Sequence, residues 1–152
     1  MSAHIKNMEV RNYRSLANLS VRTDSINVLF GPNGGGKSSF LDVIWFVCDC
    51  AIRGIDLASS SRGHGIGLLY DGADAGDPIT IGLCTGEARY ELALGLSSGR
   101  IETFPGKRLY SFGKDLELMH RAIGSEKASF YHIKTAEHGA FPLREPQKLA
   151  LG

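Results

Sequence analysis

Ile26-Asn27-Val28-Leu29-Phe30-Gly31-Pro32-Asn33-Gly34-Gly35-Gly36-Lys37-Ser38-Ser39 runs from a short apolar segment into a glycine-rich loop. The length of residues 26–30 and their Val and Phe content predict a buried strand ending at Gly31. Gly31 and Gly36 stand five residues apart and are followed at once by Lys37 and Ser38, which is the spacing of a phosphate loop. That spacing has a physical reason. Glycines let the backbone turn with positive φ and come close to an anion. Successive N–H groups then converge on it. A helix starting at the loop adds its unpaired first-turn donors and the positive end of its dipole. Lys37 supplies an ammonium for the β and γ phosphates, and the Ser38 hydroxyl supplies an oxygen ligand for Mg²⁺. A chain with 19 Gly meets this pattern by accident roughly once in a hundred times, and the apolar strand and helix on either side lower that further. A glycine turn that merely caps a helix would not explain why a lysine opens an otherwise apolar segment.

Residues 37–52 carry Phe40, Leu41, Val43, Ile44, Trp45, Phe46, Val47 and Ala51, which predicts a helix apolar almost all round, stopped at Gly54. Upstream, residues 5–10 and 19–22 read as two short strands around the polar Arg11-Asn12-Tyr13-Arg14-Ser15. Downstream, residues 56–67 are rich in Ser and Gly and predict a loop. From Pro78 the period changes to two. Ile79, Ile81 and Leu83, then Tyr90, Leu92, Leu94 and Leu96, flank Thr85-Gly86-Glu87 as a hairpin. Residues 100–104 and 107–112, joined at Pro105-Gly106, predict a second hairpin. Leu116, Met119 and Ile123 lie at helical spacing in residues 115–123, and residues 129–133 read as a strand. From Lys134 the sequence is irregular, with Pro142 and Pro146. The expected class is α/β: a P-loop lobe with a mixed sheet and an antiparallel hairpin subdomain.

The 152 residues suffice for one domain with a core, and 43% hydrophobic with 22% charged is an ordinary composition. A formal charge of +1 excludes a global basic field, though not a local patch. No run of eighteen apolar residues and no secretory pattern is present, so no membrane is expected. Cys48, Cys50 and Cys84 lack metal-like spacing and suit a reduced, cytoplasmic compartment. His4, His64, His120, His132 and His138 show no ligand spacing. Arg62 and His64 read as part of a solvated loop.

The loop Gly31-Pro32-Asn33-Gly34-Gly35-Gly36-Lys37-Ser38-Ser39 resembles that of ABC-type ATPases of the RecF- and SMC-like group. Residues 5–16, with Asn12-Tyr13-Arg14-Ser15, are similar to that group's opening strand. Phe130-Tyr131-His132-Ile133 and Pro142-Leu143-Arg144-Glu145-Pro146-Gln147 resemble a stretch of the OLD-like, AAA-family defence ATPases. The resemblance implies ATP and Mg²⁺ as cofactors. It places Arg14 near the phosphates, Asn33 where two domains sandwich ATP, and Gln147 at Mg²⁺ and the attacking water. It also implies a homodimer formed through that sandwich, and leaves DNA open as a partner.

The group hydrolyses ATP with an apolar strand ending in Asp-Glu, a Leu-Ser-Gly-Gly-like signature and a switch histidine, and none is found here. Asp49 lies within the helix after the loop, Asp71 precedes a turn-like stretch, and Leu96-Ser97-Ser98-Gly99 sits at a predicted hairpin turn. The expectation is an incomplete N-terminal lobe over residues 1–152, with strands, loop and helix in 1–54, hairpins and a helix in 78–133, and a connecting tail in 134–152. The acidic strand would then lie in a C-terminal lobe missing from this chain. The downstream role would be DNA repair, chromosome maintenance or phage defence. The alternatives are a non-hydrolysing nucleotide-binding assembly module, a small P-loop kinase with Arg62 in its lid, and a transporter's ATP-binding subunit with Tyr13 as its stacking aromatic.

Overall fold

The computed structural model describes residues 4–74, 76–102, 105–112, 116–132 and 135–142. They form a mixed α/β structure dominated by an eight-stranded antiparallel sheet, in the order β10-β9-β8-β7-β4-β3-β1-β2. Its strands are β1 (Asn7–Tyr13), β2 (Leu16–Arg22), β3 (Ile79–Cys84), β4 (Ala88–Leu94), β7 (Gly106–Ser111), β8 (Leu116–Arg121), β9 (Lys127–His132) and β10 (Glu137–Pro142). A two-stranded ribbon, β5 (Leu96–Ser97) with β6 (Arg100–Ile101), stands apart. Three helices complete the order: α1 (Lys37–Arg53), α2 (Ile55–Ser60) and α3 (His64–Leu68).

Alternation along the strands gives the sheet one apolar face. Met8 and Val10 of β1, Ile79 and Ile81 of β3, and Tyr90, Leu92 and Leu94 of β4 are buried on it. One stripe of α1 packs there through Phe40, Val43, Phe46, Val47 and Cys50. The Tyr13 and Phe46 rings meet at 5.7 Å. On the opposite face Arg89 bridges Glu9 and Glu91, each at 2.8 Å. Gly54 ends α1 with φ 85, as expected from the sequence. Thr85 closes the β3–β4 hairpin, its Oγ1 accepting from the Ala88 amide at 3.1 Å.

Several expectations need correction. Residues 26–30 form no strand. Their apolar side chains stand exposed, Ile26 at 85% and Phe30 at 91%, because no described strand lies alongside to accept their backbone bonds. Residues 56–67 are not a loop but hold most of α2 and most of α3. The second hairpin does not form: β7 pairs with β4 and β8, while Arg100 and Ile101 pair with Ser97 and Leu96. The helix expected at 115–123 is the strand β8, whose register shift opposite Leu109 and Tyr110 breaks the period of two. Residues 137–142, expected to be irregular, pair with β9 as β10. Among the described residues no helix is long and apolar enough to cross a membrane.

Candidate functional site at the glycine-rich loop

The loop turns tightly and leads directly into α1. Gly34 and Gly36 have φ 81 and 84, and the Gly35 amide donates to the Pro32 carbonyl at 3.2 Å. Gly36 caps α1 in the left-handed conformation with no side-chain acceptor, and Phe40 N donates to Gly36 O at 2.8 Å. Space also demands glycine there, since a Cβ at Gly36 would lie 2.9 Å from Leu16 Cδ2. The first-turn amides of α1 thus have no competing side-chain cap and no acidic neighbour in the first turn.

Lys37 folds back across the turn. Its Nζ donates to Gly31 O at 2.8 Å and Pro32 O at 2.6 Å. The ammonium therefore lies at the loop, held by weak acceptors that an anionic oxygen can replace. Residues 31–35, Asn33 among them, and Ser38 are exposed. Ser39 is buried, and its Oγ meets Ser15 Oγ at 2.7 Å. That contact ties the tip of the β1–β2 hairpin to the loop.

The hairpin tip carries Arg14 in a left-handed conformation, φ 50, with its amide donating to Leu68 O at 2.8 Å. Its Nε lies 3.3 Å from Asp42 Oδ2, an ion-pair distance, but the N–H is not aimed as a hydrogen bond. Asp42 also accepts from Tyr13 Oη at 2.6 Å and from Arg62 Nε at 3.0 Å. Burial, together with the hydrogen bond to Asp42, pushes the Tyr13 hydroxyl well above its ordinary value, so it stays a donor. Arg62 Nη1 reaches Asp49 at 2.8 Å, and its guanidinium lies over the Phe46 ring at 5.4 Å. Burial opposes the Arg62 charge, but its bonds to Asp49 and Asp42 outweigh that and raise its pKa. Arg62 is thus a half-buried staple and not the solvated loop residue expected.

The structure brings Arg14, Ser15, residues 31–39 and Asp42 into one neighbourhood. Asp71 is exposed in a turn after the isolated pairing of Leu69 with Tyr13. Gln147 lies outside the described residues. Sequence reasoning missed Asp42. The signal was there, because Asp42 and Asp49 are the sole charges between Lys37 and Arg53, seven residues apart and so on one side of α1. Two cavities, of about 270 and 300 Å³, contain no loop residue in their walls.

A family model described as AAA ATPase domain matches residues 4–60, from β1 through α2 and well under half of the chain. The match supports an AAA-type ATPase fragment and nucleotide binding in a general sense. No match is found among curated proteins.

Proposed function

We propose that residues 31–39 bind the polyphosphate of ATP, with Mg²⁺, and that the chain is the N-terminal lobe of a RecF- and SMC-like ATPase. The observation that carries this is the Lys37 ammonium lying across a glycine turn at the uncapped head of α1. Backbone donors, a helix dipole and one cation then share a single opening, the arrangement a polyphosphate needs. Magnesium fits the residues present. The exposed Ser38 hydroxyl would hold it, and the ion would neutralise phosphate charge.

Hydrolysis in this proposal requires a second lobe and a dimer partner across the nucleotide. Two exposed surfaces support the second lobe. Residues 26–30 present apolar side chains and a backbone that pairs with no described strand, as a strand without its sheet does. On α1, Leu41, Ile44, Trp45, Cys48 and Ile52 form a second apolar stripe facing away from the core, with Trp45 68% exposed. A lobe that pairs with residues 26–30 and lies over this stripe satisfies both. The downstream role proposed is DNA repair, chromosome maintenance or phage defence.

Calorimetric titration with Mg-ATP tests the site. Lys37→Ala should weaken binding by at least roughly tenfold, the loss expected for a charge-assisted contact to phosphate. Unchanged affinity in that variant would end the proposal.

A further inference from the structure

Two charges in the middle of an apolar helix call for a reason, because burying a carboxylate is unfavourable unless it is paired. For Asp49 the reason is complete, since Arg62 satisfies it at 2.8 Å. Asp42 does more. It sits one helical turn beyond Ser38 and Ser39, on the side of α1 that faces the hairpin tip. Tyr13 and Arg62 fix its two oxygens from different elements, at 2.6 and 3.0 Å. The third partner, Arg14, is held by charge alone: its Nε lies 3.3 Å from Asp42 Oδ2 without an aimed hydrogen bond, and among the described residues its terminal nitrogens make none. Its side chain is 36% exposed. The neighbouring tip residues are packed on the loop: Ser15 on Ser39, and Leu16 against Gly36.

We propose that Asp42 is a positioning residue: locked by Tyr13 and Arg62, its charge keeps the Arg14 guanidinium beside the glycine-rich loop, within reach of the phosphate chain. The inference rests on the nucleotide reading above and adds to it the residue that keeps the arginine in place. The ion pair confines the guanidinium to this side of the loop, and its planar fork suits an anionic oxygen there. Placement before binding spares part of the side-chain ordering that a free arginine would undergo.

The test is a double-mutant cycle on the full chain, reading Mg-ATP affinity and its salt dependence. Asparagine at 42 keeps an acceptor for Tyr13 and removes the charge that holds Arg14. Asp42→Asn is expected to weaken Mg-ATP binding about five- to tenfold, the scale of one charge-assisted contact, and to flatten the salt dependence as Arg14→Ala does. In the Arg14→Ala background it should have no further effect. Additive losses, or a loss with unchanged salt dependence, overturn the inference in favour of a merely structural carboxylate. Tighter binding by Asp42→Asn also overturns it, since that is what removing a like charge near phosphate would do. Should Asp42→Asn not fold, Tyr13→Phe removes one lock without changing a charge and is expected to give the same Arg14-dependent loss; no loss overturns. Failure of the unsubstituted chain to bind Mg-ATP overturns the nucleotide reading and this inference together. Binding without the coupling overturns this inference alone.

Discussion

Gly36 shows how much of the site is decided by one residue. Its φ of 84 is a conformation that side chains resist, and a Cβ would press on Leu16 Cδ2 at 2.9 Å. The leucine tip can shift, so the backbone term dominates. Gly36→Ala should lower stability by about 1–2 kcal/mol and loosen the hairpin tip from the loop. Denaturant melts check the first effect and Mg-ATP titration the second. Gly34→Ala, with similar φ but nothing within 4 Å, should cost only the backbone part. Lys107 offers a residue-scale prediction away from the site. It is buried on the core face beside Arg121, and burial, with that neighbour, lowers its pKa to about 8 from 10.5. Between those values the unfolded chain binds more protons than the folded one, so this group makes stability rise with pH. Below pH 8 both states are charged and the full cost of the buried ammonium remains. Burial pushes the Cys50 thiol up to about 12 from 9.0, which makes stability fall above pH 9. In the window from about pH 8 to 9 Lys107 outweighs Cys50, whose unfolded thiol is only partly ionised there. Melts across it should show a rise that Lys107→Met abolishes; equal slopes would refute the assignment. The glycines and Lys37 were legible in the sequence because their spacing is local. Asp42 with Arg62 was not, because the partners are twenty residues apart.

At the scale of elements, α1 was legible in its extent, from Lys37 to Gly54, and its all-round apolarity is real. What periodicity alone did not settle is that the described residues cover just one of its two apolar stripes. Cys48 and Cys50 report on the two stripes directly. Cys48 is exposed on the outer stripe and Cys50 is buried against the sheet with a raised pKa. Alkylation at pH 8 should modify Cys48 readily and leave Cys50 untouched until the chain unfolds. Addition of the proposed second lobe should protect Cys48, and persistent labelling would show that it docks elsewhere. Strand β8 was misread for a physical reason. Met119 and Arg121 point inward while Glu117 points out, and the register shift brings Leu116 onto the same face as Met119 at a helix-like spacing of three. A cation on the buried face removes the apolar alternation that marks a strand. Residues 26–30 fail in the opposite sense. They carry a strand's composition, but a strand exists only with a partner beside it, and that partner is not among the described strands.

For the molecule as a whole, every pairing among the described strands is antiparallel, and no strand lies between β2 and α1, so the glycine-rich loop is not fed by a strand of the sheet. Position is given to the loop from behind, by α1 and the β1–β2 hairpin, and not from the segment that enters it. Phosphoryl transfer asks for more than a held phosphate: a placed water and charge stabilisation from several directions. Asp42 and Asp49 are committed to Arg14, Tyr13 and Arg62, and among the described residues no group of three acidic, histidine or cysteine side chains stands ready for a metal. The 152-residue chain should therefore bind Mg-ATP yet turn it over slowly or not at all in a phosphate-release assay. Supplying the second lobe, fused or in trans, should raise turnover by orders of magnitude while Lys37→Ala holds it down. Robust turnover by the chain alone would mean that an acidic group of its own reaches the nucleotide. Asp71, exposed after Leu69 and Tyr70, is then the first residue to replace, and loss of that turnover in Asp71→Ala would show where the group lies.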